Sequence, residues 1–208
     1  MTVPYKLYGR QNSGSFAVQV ALEELALPYE RIWVGREPGD VARFQEIHVV
    51  GKVPALILPD GTKMFESAAM LIHLADAHSK SRLAPPPATT AHALFLQWMV
   101  FLSANVYEAA LRMYYAERYS TEGEAHADGI RRKGAADFVD HLGVISQALK
   151  PYVLGKEFSA ADIYLYMLAT WYVGEKAELY ARLPALAAHA TQVSRRPSVV
   201  KVEADHVT

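Results

Sequence analysis

A chain of 208 residues that is 51% apolar can bury a substantial core, which excludes a disordered protein. With 21 basic against 22 acidic residues, its net charge of −1 supplies no long-range attraction for DNA, RNA or anionic membranes. The absence of cysteine excludes disulfides, CxxC redox chemistry, thiolate metal sites and any protein thiol nucleophile, so a thiol handled here must arrive with a ligand. The basic clusters Arg131-Arg132-Lys133 and Arg195-Arg196 read as solvated helix surface. Residues 1–6 lack the apolar core of a signal peptide, and a cytoplasmic protein without a membrane span is expected.

In chain order, Tyr5–Tyr8 alternates as a strand, and Gly9–Ser15 is a polar turn. Val18, Ala21, Leu22 and Leu25 keep helical spacing, with Ser13 or Ser15 as candidate cap and Pro28 as the stop. Tyr29–Val34 resumes as a strand, Gly35–Asp40 breaks it, and Val41–Ile47 predicts a short helix. Val53–Leu58 is apolar and extended. Pro59-Asp60-Gly61-Thr62 forms a hairpin turn, and Lys63–Phe65 is the returning strand. A helix opens at Glu66-Ser67 with the stripe Met70, Leu71 and Leu74.

A first domain at 1–79 thus reads β-α-β-α-β-β-α. Residues 80–90, with Pro85-Pro86-Pro87, form a linker, and 91–208 is an all-helical domain. Its predicted helices cover 91–119, 124–149, 159–180 and 183–194. Phe158-Ser159-Ala160-Ala161-Asp162-Ile163 is a capping box: Ser159 and Asp162 satisfy each other's backbone amides, while Phe158 can staple Ile163.

Three stretches in this order carry a resemblance: Gly51-Lys52-Val53-Pro54-Ala55-Leu56, Phe65-Glu66-Ser67 and Phe158–Asp162. Together they resemble the cytosolic, bacterial-type glutathione transferase superfamily over essentially the whole chain, without indicating a class. The resemblance implies a thioredoxin-like domain that binds glutathione, followed by a helical bundle that supplies a hydrophobic substrate site.

It implies that a cis Val53–Pro54 peptide turns the Val53 backbone toward the cysteinyl main chain of glutathione. Ser67, at a helix start, would take the γ-glutamyl carboxylate, Glu66 the ammonium group and Lys52 the glycyl carboxylate. The sulfur would face the loop after the first strand. There, Ser13 and Asn12 stand close together as candidates, followed by Ser15; Tyr8 at the strand end, an aromatic of the core or rim, could serve instead or line the substrate site.

Tyr107, Leu111 and Tyr114 share a helix face that would receive a hydrophobic electrophile, with Tyr115 beside them. Trp98 and Trp171 are expected in the core. The eight histidines show no metal-ligand spacing, and no metal is expected. The family's habit also implies a homodimer. Conjugation of glutathione to electrophiles, a detoxification chemistry, is the first expectation. The alternatives are a glutathione-dependent disulfide or peroxide reductase and a non-catalytic binding protein.

Overall fold

The structure is a computed structural model and describes residues 3–206. Its first element is strand β1 (Tyr5–Gly9), followed by α1 (Ser15–Glu24), β2 (Tyr29–Trp33), α2 (Pro38–Gln45), β3 (Ala55–Ile57), β4 (Lys63–Phe65) and α3 (Ser67–Ala77). The sheet order is β2-β1-β3-β4. β1 and β2 are parallel, while β3 runs antiparallel to both β1 and β4. Leu7 and Leu56 are cross-strand partners and fully buried. Every residue of α1 from Ser15 to Leu22 is buried. The predicted β-α-β-α-β-β-α order is therefore present.

Two details differ from expectation and one agrees. α2 begins at Pro38 because proline fits the first helical turn, where its missing N–H costs nothing. α1 has Gly14 at its N-cap position and no side-chain cap, since the Ser13 and Ser15 hydroxyls are used elsewhere. The hairpin turn forms as predicted, with Leu58 N–H donating to Thr62 O at 2.9 Å and Gly61 at φ 89°.

The chain divides into two compact units: the described residues up to Pro87 together with those from Ser194, and residues Ala88–Val193. In the second unit, α4 (Thr90–Phe101), a π-helical segment (Leu102–Tyr107) and α5 (Glu108–Tyr114) form one continuous rod. Thr89 caps it by accepting from His92 N–H at 3.1 Å. By length and mean hydropathy (1.3) this rod could cross a membrane, contrary to the expected absence of such a run. Its buried residues Phe95, Met99, Leu102, Val106, Ala109 and Met113 nevertheless follow the one-sided stripe of a helix packed along a bundle.

α6 (Ala127–Ser146) crosses α5 at Gly134, where an added Cβ would lie 2.8 Å from the Met113 amide nitrogen. The predicted helix 159–180 is instead split into α7 (Ala160–Ala169) and α8 (Lys176–Arg182), followed by α9 (Pro184–Val193).

All ten residues of α7 are buried, including Asp162. The capping box is present. Asp162 Oδ2 accepts from the Ser159 amide and hydroxyl, both at 2.8 Å, while Oδ1 accepts from Val153 N–H at 2.8 Å and His189 Nε2 at 3.0 Å. A buried carboxylate is tolerable only when so fully bonded.

The last helix, α10 (Pro197–His206), lies in the part of the predicted helical domain that packs with the first unit instead, against α1. Its attachment is polar. Arg196 forks onto Glu24 with two 2.7 Å bonds, Lys201 pairs with Glu23, and Asp205 pairs with Arg31. Burial opposes ionisation of Glu24, but the hydrogen bonds from Arg196 and Ser198 outweigh it and hold its carboxyl below the ordinary range. His206 Nε2 donates to Gln19 Oε1 at 3.2 Å, and its ring meets Phe16 and Trp33 edge-on. Burial, aided by the Arg31 charge and opposed by Asp205, pushes the His206 pKa down to about 4.

Two predictions follow from these buried groups. Asp162→Ala strands four donors, so urea denaturation should show a loss of roughly 3–5 kcal/mol. His206 is neutral when folded, while its unfolded pKa is about 6.5, so protons favour the unfolded chain between those values. Stability should therefore fall by on the order of 2–3 kcal/mol as pH drops from 6.5 to 4, and the slope should shrink in His206→Gln.

Candidate functional site

The sheet register gathers three segments at one end of the first unit. Ala55 pairs with Tyr8 on one side and with Phe65 on the other. The start of β3 therefore lies beside the end of β1 and the end of β4. This places Val53-Pro54 next to Glu66-Ser67, with the β1–α1 loop (10–14) adjoining. The Val53–Pro54 peptide is cis. Val53 is half-buried, Pro54 buried, and Lys52 exposed.

Glu66 has φ 70° and ψ 105°, outside the ordinary regions for a non-glycine residue. From that position its side chain is exposed, while the following residue, Ser67, is buried as the first residue of α3. The first amides of an eleven-residue helix thus open beside an exposed carboxylate. Such a pair can hold a ligand that carries both an acid and an ammonium group.

The three sequence candidates in the β1–α1 loop differ sharply in availability. Ser15 is 1% exposed, and its hydroxyl lies 3.0 Å from Arg10 O. The Ser13 hydroxyl donates to the same carbonyl at 2.7 Å and lies 2.9 Å from the Ser15 hydroxyl. Asn12 is exposed, with φ 52°. Of the three, only Asn12 presents a side chain outward. Tyr8 is half-buried and packs against Phe44 at 5.8 Å between ring centres.

The family model described as glutathione S-transferase, N-terminal domain, matches residues 15–77, and that for the C-terminal domain matches 104–205. The chain belongs to the glutathione transferase superfamily. Glutathione S-transferase GstA of Escherichia coli O157:H7 is 24% identical over 201 residues, which span 93% of this chain and 94% of that protein. A solved glutathione transferase homologue from Sulfitobacter, with bound glutathione, superposes with a TM-score of 0.88 at 26% identity. It covers 99% of this chain and 100% of its own. A sphingomonad glutathione S-transferase complexed with glutathione gives a TM-score of 0.81 at 27% identity, covering 97% and 98%.

In the helical unit, the predicted aromatic face converges on one tryptophan. Tyr107 meets the Trp171 ring edge-on at 4.9 Å, and the Tyr114 hydroxyl donates to Trp171 O at 2.7 Å. That phenol is thus occupied, and burial, then the neighbouring Tyr115, raises its pKa. Leu111 is half-buried on α5. Trp98 and Trp171, expected in the core, are half-buried, because the break after α7 leaves Trp171 at a helix end. Beside Tyr114 opens a groove of about 720 Å³ lined by Met113, Val139, Tyr172 and arginines 131 and 132.

Two residues of the site were missed by the sequence reading. His48 is buried, stacks with Phe44 and Phe65, and accepts Val50 N–H on Nδ1 at 3.1 Å, ordering the approach to Val53. Arg10 donates to Val34 O and Gly35 O. Neither lies in a motif. Only the fold gives these side chains their partners.

Proposed function

We propose that this glutathione transferase binds glutathione at the sheet end, stabilises its thiolate and adds it to hydrophobic electrophilic small molecules. The observation that carries this reading is the adjacency of Val53-Pro54, Glu66-Ser67 and the Asn12 loop. The glutathione-bound relatives support it. In this reading the Val53 main chain pairs with the cysteinyl backbone, and the Ser67 end of α3 takes the γ-glutamyl carboxylate. Glu66 takes the ammonium group and Lys52 attracts the glycyl carboxylate. Asn12 faces the sulfur, ahead of Ser13 and Ser15, whose hydroxyls are engaged. Tyr107, Leu111 and Tyr114 supply the apolar lining for the electrophile.

An ordinary thiol has a pKa of about 8.5, so lowering it by ~2 units requires ~2.7 kcal/mol. One or two hydrogen bonds to the sulfur anion, at ~1.5–3 kcal/mol each, suffice. With a chloroarene, ionisation releases the thiol proton to solvent and the sulfur forms a bond to the ring carbon. Chloride departs with the electrons of the broken C–Cl bond. No oxidant or metal enters the balance. In a cytoplasm this chemistry removes reactive electrophiles.

The engaged serines favour one second reading, a protein that holds glutathione without ionising it. The exposed apolar residues Leu94 (46%), Val100 (60%) and Val144 (48%) on α4 and α6 support a homodimer in either case.

Calorimetry with millimolar glutathione should detect binding, weakened about tenfold in Ser67→Ala. Asn12→Ala should raise the thiol pKa of the bound tripeptide by about one unit and cut chloroarene turnover about threefold at neutral pH. Absence of heat overturns the binding site, whereas binding with a solution-like thiol pKa and no turnover selects the second reading. Sedimentation should give a dimer that Val100→Glu dissociates.

A further inference from the structure

We propose that Arg10 is the positioning residue of the sulfur-facing loop, fixing Asn12 by tying the start of the turn to the end of β2 and holding its finish on its own carbonyl. This rests on the function proposed above, since it concerns the same site. Arg10 immediately follows β1. Its guanidinium donates through Nε to Val34 O at 3.1 Å and through a terminal nitrogen to Gly35 O at 2.9 Å. Both carbonyls lie just beyond β2. Val34 N–H in turn donates to Gly9 O at 2.9 Å, so the two chains are stitched on either side of the arginine.

The main chain of the same residue organises the other half of the loop. Arg10 O accepts the Ser13 hydroxyl at 2.7 Å and lies 3.0 Å from that of Ser15, which is sealed in the core. The fit around Ser15 is tight, for a Cβ on Gly9 would sit 2.4 Å from its hydroxyl oxygen. Asn12 is therefore held in a turn whose start is clamped by a guanidinium and whose finish is bonded back to that residue's carbonyl. Its left-handed backbone aims the amide only while these ties persist. A planar fork can reach two neighbouring carbonyls at once, which a lysine ammonium on a flexible stem does less well.

Because Arg10 acts through Asn12, its loss should separate binding from ionisation. In Arg10→Ala, glutathione affinity by calorimetry should stay within about twofold. The ultraviolet absorbance of the bound thiolate, followed against pH, should show a pKa raised by about one unit, which makes the thiolate fraction at neutral pH about threefold smaller. Arg10→Lys should recover part of that shift. Without ligand, amide hydrogen exchange at Asn12–Ser15 should accelerate about tenfold in Arg10→Ala.

An unchanged thiol pKa in Arg10→Ala overturns the proposal. So does an unchanged thiol pKa in Arg10→Lys should the alanine variant not fold. If wild-type protein binds no glutathione, the functional reading fails first. The exchange measurement then decides alone whether Arg10 fixes the loop, and unaltered exchange overturns that as well.

Discussion

The double pairing of β3 is the constraint on which the rest of the first unit depends. Only three residues long, it is bonded to β1 through Leu56 opposite Leu7 and to β4 through Leu56 opposite Met64. A slip of one residue would turn Leu56 from the core face to the other and carry Val53-Pro54 away from both neighbours. Burial of that one leucine therefore sets where the cis peptide stands relative to the Asn12 loop and to the start of α3. The site's polar groups contribute little to this register. They inherit their positions from apolar contacts behind them.

The first unit is also completed by residues far away in sequence. β2 is an edge strand, and edge strands need cover. α10 packs against α1 behind it and reaches the strand through Asp205 on Arg31 and through the His206 ring on Trp33, while the Arg31 guanidinium lies 4.6 Å above the Trp33 ring. One step past Trp33 come Val34 and Gly35, whose carbonyls hold Arg10. Support for the β1–α1 loop thus runs from the end of the chain, through an edge strand, to a residue near its beginning.

What was legible in the sequence is what depends on neighbours. The Ser159–Asp162 box is a spacing of three residues, and the hairpin at Pro59–Thr62 is four consecutive residues with local torsional preferences. Val53-Pro54 and Glu66-Ser67 were legible because they recur as short motifs in a known order. The break at 170–175 was not, since Thr170-Trp171-Tyr172-Val173 contains no proline and glycine comes only at 174. No separate helix was predicted after 194 because Val199 and Val202 lie among charged residues, although those charges find partners on α1 and β2. Least legible was the direction of the serine hydroxyls. Sequence puts Ser13 and Ser15 beside Asn12, but only the path of the turn decides that both point to Arg10 O.

That same turn bears on why an asparagine stands at position 12. A residue at φ 52° pays a steric cost that asparagine bears more easily than other side chains with a Cβ, because its amide can bond locally. The backbone that brings Ser13 and Ser15 inward thus selects, at the exposed corner between Arg10 and Ser13, one of the few residues that tolerate it. Asparagine also carries two N–H donors, and a bond from such a donor to an anion is stronger than one to a neutral acceptor. Local conformation and the proposed chemistry therefore ask for the same residue. A serine placed there would lose on the first count and offer only a single donor on the second.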